Sequence, residues 1–198
     1  MHDPVDLAAL IASRICHDLI SPIGAIGNGV ELLALDPAGG SPELDLLSLS
    51  VASANARIRF FRISFGAASS DQRISRSEVI SVLTDLDRGG RVTVGWTSGP
   101  DLSRPEVRLA FLLLQCVETA LPWGGQVQIT QTADAWSITA TAPRLKLDPA
   151  LWQGLASATS PTPVSAALVH FALVPAELAR QGRQLRLETT LDTIRLTF

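Results

Sequence analysis

The chain has 198 residues and is 46% hydrophobic, which is enough apolar material for one large core or two small ones. Its formal net charge of −3 argues against the basic face that nucleic acid binding requires. We find no apolar run of the roughly 20 residues that span a bilayer, and Asp3 and Asp6 stand where a secretory signal would be basic. Cys16 and Cys116 make neither a disulfide framework nor a zinc site. We therefore expect a soluble, cytoplasmic protein that binds neither nucleic acid nor membrane.

Two long helices are predicted at the start of the chain, over residues 5–35 and 42–66. Ser41–Pro42 supplies a cap and a first turn for the second helix. The residues that break the pattern between the helices are Asp36, Pro37, Gly39 and Gly40. Because the connection is short, the two helices are expected to form an antiparallel hairpin.

Apolar residues recur along both helices in alternating steps of three and four, which is the period of a bundle seam. This seam comprises Val5, Ala9, Ala12, Cys16, Leu19, Ile23, Ile26, Val30 and Leu33 in the first helix, and Leu44, Leu47, Val51, Ala54, Ile58, Phe61 and Phe65 in the second. A second stripe lies nearly opposite on the second helix, at Leu46, Leu49, Ala56, Phe60 and Ile63. A hairpin covers only one of these faces. We favour a second copy as the cover of the other, giving a dimeric four-helix bundle; the alternative is packing on the chain's own C-terminal part.

From residue 71 onward the pattern changes to mixed α and β. Helices are predicted over residues 75–87 and 105–121, from Asp148, and from Thr162–Pro163 to Gln181 with a kink at Pro175. Strands are predicted over residues 91–96, 126–130, 135–141, 184–189 and 192–197, the last four forming two hairpins. The expected fold class is α+β: a helical domain over 1–70, a junction within 66–73, and a domain over 71–198 with a mostly antiparallel sheet and helices on one face.

Of the three histidines, His17 is the strongest candidate for chemistry. His2 is terminal, and His170 lies among apolar neighbours on a predicted helix, which favours a structural role. At about 100° per residue, His17 points away from the apolar stripe centred near Leu19. The residues on its side of the helix are Arg14, Ser21, Gly24 and Asn28. From spacing alone, an ordinary solvated histidine on a polar face is the better interpretation.

An exposed neutral imidazole is also a capable nucleophile near neutral pH. Phosphoryl transfer depends mostly on positioning and charge stabilisation. A histidine on a rigid helix face can therefore meet an aspartyl phosphate that a partner carries. Gly24 would leave room for that partner, together with the exposed face near Asn28, and Arg14 would pair with phosphoryl oxygens or with acidic residues of the partner.

The local sequence favours this second interpretation. His17-Asp-Leu-Ile-Ser-Pro22 resembles the H-box of dimeric histidine kinases. The longer stretch from Arg14 to Leu33, RICHDLISPIGAIGNGVELL, resembles the ChpT-type histidine phosphotransferases of alphaproteobacteria. The resemblance implies a cytoplasmic homodimer with a four-helix bundle and a degenerate kinase-like ATP-binding domain. It also implies a relay from the receiver domain of a hybrid kinase (CckA-like) to response regulators (CtrA-like, CpdR-like).

Carried over residue by residue, the resemblance makes His17 the phosphoacceptor and Asp18 the adjacent acidic residue, which in kinases assists proton removal. Residues at i and i+1 of a helix do not face each other, so this assistance is not expected from helix geometry. Ser21 stands where kinases often carry a polar residue linked to phosphatase activity. No cofactor of its own is expected, because the partner receiver domain supplies the magnesium ion.

The motifs of an ATP-using kinase are missing. The helix predicted over 105–121 has Gln115 and Glu118 but no asparagine for a metal-binding helix, and residues 141–148 read TAPRLKLD where an adenine motif would stand. Asp87-Arg-Gly-Gly90 imitates that motif but suits a turn, and no segment matches a P-loop. The expected function is therefore phosphotransfer without ATP. The alternatives are a divergent histidine kinase and a dimeric docking scaffold that accepts no phosphate.

Overall fold

The first two helices form the predicted antiparallel hairpin. The computed structural model describes residues 6–35, 41–87, 90–133, 135–157 and 165–198. Helix α1 spans Leu7–Leu35 and α2 spans Ser41–Ser64. They pack closely, since a Cβ atom on Gly29 would lie 2.8 Å from a methyl group of Leu47. The predicted break from Asp36 to Gly40 and the seam residue Val5 lie outside the described residues.

Helix α1 is long and largely apolar. Between Leu7 and Ala34 it is long and apolar enough, by length and composition, to cross a membrane, and little of this stretch is buried within the chain. A long helix whose apolar residues form a bundle seam meets the same criterion of length and hydropathy. Arg14, His17 and Asp18 interrupt this stretch, so it is not a continuous apolar run of the kind whose absence the sequence indicated.

The rest of the chain forms the predicted α+β domain. Its elements are β1 Arg73–Ser75, α3 Arg76–Asp87, β2 Val92–Thr97, β3 Asp101–Ser103, α4 Arg104–Thr119, β4 Gly125–Gln131, β5 Trp136–Thr141, α5 Pro149–Ser157, a 3-10 helix Ala166–Leu168, α6 Val169–Gln181, β6 Arg186–Thr189 and β7 Thr193–Thr197. The main sheet has the order β2-β4-β5-β7-β6, in which β2 and β4 are parallel and the other neighbours antiparallel. The fold class and the mostly antiparallel sheet are confirmed.

Two local predictions differ from the structure. The sequence did not indicate the short antiparallel pair β1–β3, which closes the end of the domain beside α4. Within the described part of the helix predicted from Thr162–Pro163, Ser165 has an extended backbone (φ −74°, ψ 165°), and a 3-10 turn begins at Ala166. Thr162 and Pro163 themselves lie outside the described residues.

Helix α4 is the centre of the core and joins the hairpin to the sheet. Its residues from Leu109 to Val117 are all buried, as expected for a helix covered on every side. Phe111 stacks on Phe60 of α2 with ring centroids 4.9 Å apart. Ile63, one turn below Phe60, is fully buried as well. The lower half of α2 is therefore part of the core of the C-terminal domain.

The structure divides the two predicted apolar stripes differently from our expectation. Within the second stripe, Ala56, Phe60 and Ile63 are buried, the last two in the core of the chain's own domain, whereas Leu46 and Leu49 are exposed. Much of the first seam, expected inside the hairpin, is solvent-accessible instead. Its large exposed members, 44 to 56% accessible, are Ile23, Val30, Leu44, Val51 and Ile58. Our preferred assignment of the second stripe to a partner was thus wrong for its lower half, and the first seam provides the larger uncovered face.

Candidate functional site

His17 lies in the middle of α1 and presents its ring to solvent. The side chain is 82% exposed, which agrees with its predicted position opposite the packed face of the helix. Its Nδ1 atom lies 3.0 Å from Oδ1 of Asp18. An ionised carboxylate only accepts hydrogen bonds, so Nδ1 carries the proton in this arrangement and Nε2 has the free lone pair. This arrangement leaves Nε2 as the ring nitrogen with a lone pair available to a partner.

The contact between His17 and Asp18 corrects an expectation. Neighbouring residues on a helix do not face each other, yet here the Asp18 side chain, only 10% exposed, turns back along the helix surface. Its second oxygen, Oδ2, lies 2.9 Å from the Arg14 guanidinium and 3.7 Å from that of Arg57. Asp18 thus bridges the exposed imidazole to two cations.

Arg14 does not lie on the exposed face with His17. Its side chain is 23% exposed and turns toward the C-terminal domain, where it donates a 2.9 Å hydrogen bond to the carbonyl of Ala167. Both terminal nitrogens of the guanidinium are engaged, one by Ala167 and the other by Asp18. The predicted pairing of Arg14 with phosphoryl oxygens is therefore at odds with the geometry.

The remaining predicted site residues are exposed around His17. Ser21, Gly24 and Asn28 are all solvent-accessible, and a Cβ atom on Gly24 would meet nothing within 4 Å. Ser21 also lines a groove of about 370 Å³ between α1 and α2, whose other wall includes Leu49 and Ser53. The surface of α1 beside the imidazole therefore has few protruding side chains, and the groove between α1 and α2 lies next to it.

Three residues near the site were not singled out as functional by the sequence. Arg57 of α2 and Gln115 and Glu118 of α4 line a cleft of about 210 Å³ with Arg14 and Asp18. Desolvation by the surrounding protein raises the pKa of Glu118 to about 7. The charges of Arg14 and Arg57 act to lower this pKa, and the charge of Asp18 acts to raise it. The Gln115 Oε1 atom is buried without a hydrogen-bond partner. No local signal identified this cleft, because its walls come from four different helices, α1 to α4.

His170 has the structural environment that the sequence indicated. It is 1% exposed on α6 and packs with its ring centroid 5.0 Å from that of Phe171. Burial, with a contribution from the charge of Arg14, lowers its pKa to about 3, so it is neutral in the folded protein. Within the described residues there is no cluster of three or more histidine, cysteine, aspartate or glutamate side chains suited to a metal ion.

Comparisons with known proteins agree with the fold and with the expected class of protein. Residues 76–193 match the family model described as histidine phosphotransferase C-terminal domain. The chain is 33% identical to the protein phosphotransferase ChpT of Brucella abortus (strain 2308), over 96% of this chain and 93% of that protein. A solved structure described as a bacterial phosphotransferase superposes with a TM-score of 0.80 and 30% identity, covering 100% of this chain and 97% of the other.

A helical hairpin with an exposed histidine, fused to an α+β domain, defines a phosphotransferase of two-component signalling. The chain belongs to the histidine phosphotransferase family. Its activity is therefore that of a protein phosphotransferase with a place in a phosphorelay.

Proposed function

We propose that His17 is the phosphoacceptor and that it exchanges a phosphoryl group with the aspartates of receiver domains. The observation that carries this proposal is the 82% exposed imidazole whose Nδ1 atom bonds to Asp18, leaving Nε2 free. His170, the other described histidine, is buried and has no access to a protein partner.

In the forward step the Nε2 lone pair attacks the phosphorus of an aspartyl phosphate. The N–P bond forms as the P–O bond to the aspartate breaks, and the aspartate leaves as a carboxylate with the bonding electron pair. The ring keeps its Nδ1 proton and becomes a positively charged phosphoimidazolium. The Asp18 carboxylate, 3.0 Å from Nδ1, stabilises that positive charge. The reverse step returns the phosphoryl group to the aspartate of a second receiver.

The helix surface around His17 suits the approach of a folded partner. Gly24 and Gly27 each have open space where a side chain would stand, and Asn28 is exposed one turn beyond Gly24. The groove beside Ser21 offers a concave wall next to this flat surface. We propose that the receiver domain docks on this face and brings the magnesium ion that its own aspartate requires, so this chain needs no cofactor.

Membership of the family supports a proposal for the partners. We propose that the donor is the receiver domain of a CckA-like hybrid histidine kinase, and that the acceptors are CtrA-like and CpdR-like response regulators. Transfer between such proteins takes place in the cytoplasm, where we place this chain. We also propose that it has no ATP-dependent kinase activity, because the asparagine expected on the helix now identified as α4 is missing.

We propose that the protein is a homodimer joined through its hairpins. The support is the exposed part of the first seam, at Ile23, Val30, Leu44, Val51 and Ile58. These apolar residues recur with the period of a bundle interface, and a single chain leaves them uncovered. A second copy covers it in a four-helix bundle. Light scattering of the wild type and of Val51→Glu tests this proposal. We expect the wild type to be a dimer and the variant to be a folded monomer. A wild type that is monomeric at micromolar concentration would contradict the proposal.

The central experiment is phosphotransfer from a ³²P-labelled receiver domain. The wild type, His17→Ala and His170→Met are each incubated with the labelled receiver, and with labelled ATP alone as a control. We expect label on the wild type and on His170→Met, none on His17→Ala, and none from ATP. Label on His17→Ala would disprove the assignment, labelling from ATP would indicate a divergent kinase, and receiver binding without labelling would indicate a docking scaffold.

A further inference from the structure

We propose that Arg14 is a positioning residue, which connects the C-terminal domain to the phosphoacceptor through Asp18. The connection runs from the Ala167 carbonyl to Arg14, from Arg14 to Asp18, and from Asp18 to the imidazole of His17. This proposal rests on the proposed role of His17 as phosphoacceptor and adds what holds that side chain ready.

The first connection links α1 to the α+β domain through an acceptor whose direction is fixed by the backbone. The acceptor is a backbone carbonyl in the 3-10 helix that precedes α6, 153 residues along the chain from Arg14, at a distance of 2.9 Å. The guanidinium is planar and rigid, so one hydrogen bond to the domain fixes the direction of its other donors. Arg14 thus has its position set by the C-terminal domain as well as by α1.

The second connection divides the two oxygens of Asp18. Oδ2 lies 2.9 Å from the other terminal nitrogen of Arg14, and Oδ1 remains for Nδ1 of His17 at 3.0 Å. An acceptor fixed at Nδ1 selects the tautomer in which Nε2 is the free nucleophile, as the partner groups of metal-binding histidines do. Without Arg14, the cation nearest to the Asp18 carboxylate is Arg57, which lies 3.7 Å away in the structure. A rotation of the carboxylate toward Arg57 would move it away from the imidazole.

The burial of Arg14 argues against a direct contact with the phosphoryl group. Its two terminal nitrogens are engaged within the chain, and its Nε atom is buried without a partner. The imidazole that receives the phosphoryl group is by contrast 82% exposed. Arg14 therefore acts on the reaction through Asp18.

A double-mutant cycle with two measurements tests the proposal. The variants are Arg14→Gln, Asp18→Asn, the double variant, and Arg59→Gln as a matched control. Arg59 forms a comparable ion pair between the hairpin and the domain, 2.9 Å from Asp85, and its other terminal nitrogen donates to Ser81. Each variant is assayed for the single-turnover rate of phosphotransfer from a labelled receiver, and for the His17 tautomer by ¹⁵N NMR of the imidazole.

We expect Arg14→Gln to slow transfer about tenfold, the usual order for a residue that orients a reacting group through another, and to shift His17 from the Nδ1–H toward the Nε2–H form. The double variant should be no slower than Asp18→Asn, because Arg14 acts through that residue. Arg59→Gln should leave rate and tautomer unchanged. Additive losses, an unchanged tautomer in Arg14→Gln, or an equal effect of Arg59→Gln would each overturn the proposal.

Arg14→Lys serves if the glutamine variant does not fold. Its single ammonium group cannot donate to Ala167 and Asp18 together in the geometry of the fork, so we expect slower transfer and appearance of the Nε2–H form; wild-type rate and tautomer would overturn the proposal. The tautomer is measured without any partner. A wild type that shows the Nδ1–H form but accepts no phosphoryl group would therefore refute the proposed function while leaving the positioning role supported.

Discussion

Replacing the buried His170 should remove a specific part of the acid sensitivity of the fold. Its ring is 1% exposed, and neither ring nitrogen has a hydrogen-bond partner among the described residues. The variant His170→Met fills a similar volume with a flexible apolar side chain. It sacrifices no hydrogen bond that the structure shows, so we expect a folded protein at neutral pH.

The magnitude follows from the pKa of His170, which burial lowers from 6.5 to about 3. Above the unfolded value of 6.5 the ring is neutral in both states and the lowered pKa costs no stability, whereas stability is lost as pH falls through the window between 6.5 and 3 because only the unfolded chain binds the proton. At pH 5 the unfolded chain has bound the proton and the folded chain has not. The wild type should then have lost about 2 kcal/mol relative to pH 7, at about 1.4 kcal/mol for each pH unit below the unfolded pKa.

Urea denaturation of the wild type and His170→Met at pH 7, 6 and 5 measures this difference. Carboxylate titrations are common to both proteins and cancel, so the free energy of unfolding of the variant should gain about 2 kcal/mol on the wild type between pH 7 and pH 5. Leu178→Met is the matched control, since it replaces a buried residue of the same helix that carries no ionisable group and should leave the pH dependence unchanged. A constant difference between wild type and His170→Met would refute the reasoning, because it would mean that His170 protonates as readily in the folded protein as in the unfolded chain.

Three further predictions concern the cleft and the hairpin. In urea denaturation, Glu118→Gln should gain stability over the wild type as pH rises from 5 to 8, because the raised pKa makes the ionised carboxylate unfavourable in the folded state. Since more than a third of this residue is open to solvent, we expect a gain of about 1 kcal/mol. A difference in unfolding free energy that does not change with pH would contradict this prediction. Gly24→Leu should leave or raise the melting temperature, since open space surrounds the site, yet slow phosphotransfer by blocking the docking face; an unchanged rate would place the receiver elsewhere. Gly27→Ala should stabilise the fold by about 0.5–1 kcal/mol, whereas Gly29→Ala should not, because its methyl group would press on Leu47; equal gains in thermal unfolding would contradict the close packing of the two helices.

The elements that local patterns specify were predictable. The alternation of three and four along α1 and α2, and the alternation of two along β4 and β5, are properties of neighbouring residues, so the hairpin and the sheet strands appear at nearly the predicted bounds. The exposure of His17 was predictable for the same reason, since a helix fixes the angle of each side chain around its own axis. The resemblance of the stretch from Arg14 to Leu33 to histidine phosphotransferases then agreed with the family that the comparisons show.

The choice among apolar faces was made only by the tertiary structure. Helical period gives the angle between two stripes but not which neighbour covers each one. The stacking of Phe60 on Phe111 assigns the lower half of one stripe to the domain and leaves Ile23 and Val51 of the other exposed. The same limit applies to the short strand β1, which has too few residues for a period and exists because β3 lies beside it.

The sequence by itself therefore determined the fold class, the hairpin and the exposed histidine, because each depends on residues close together in the chain. Only the tertiary structure decided the direction of Arg14, the contact between Asp18 and His17, and the cleft with Glu118. A long, flexible arginine side chain reaches several partners from one backbone position. Its choice here depends on a carbonyl 153 residues away, which no local pattern encodes.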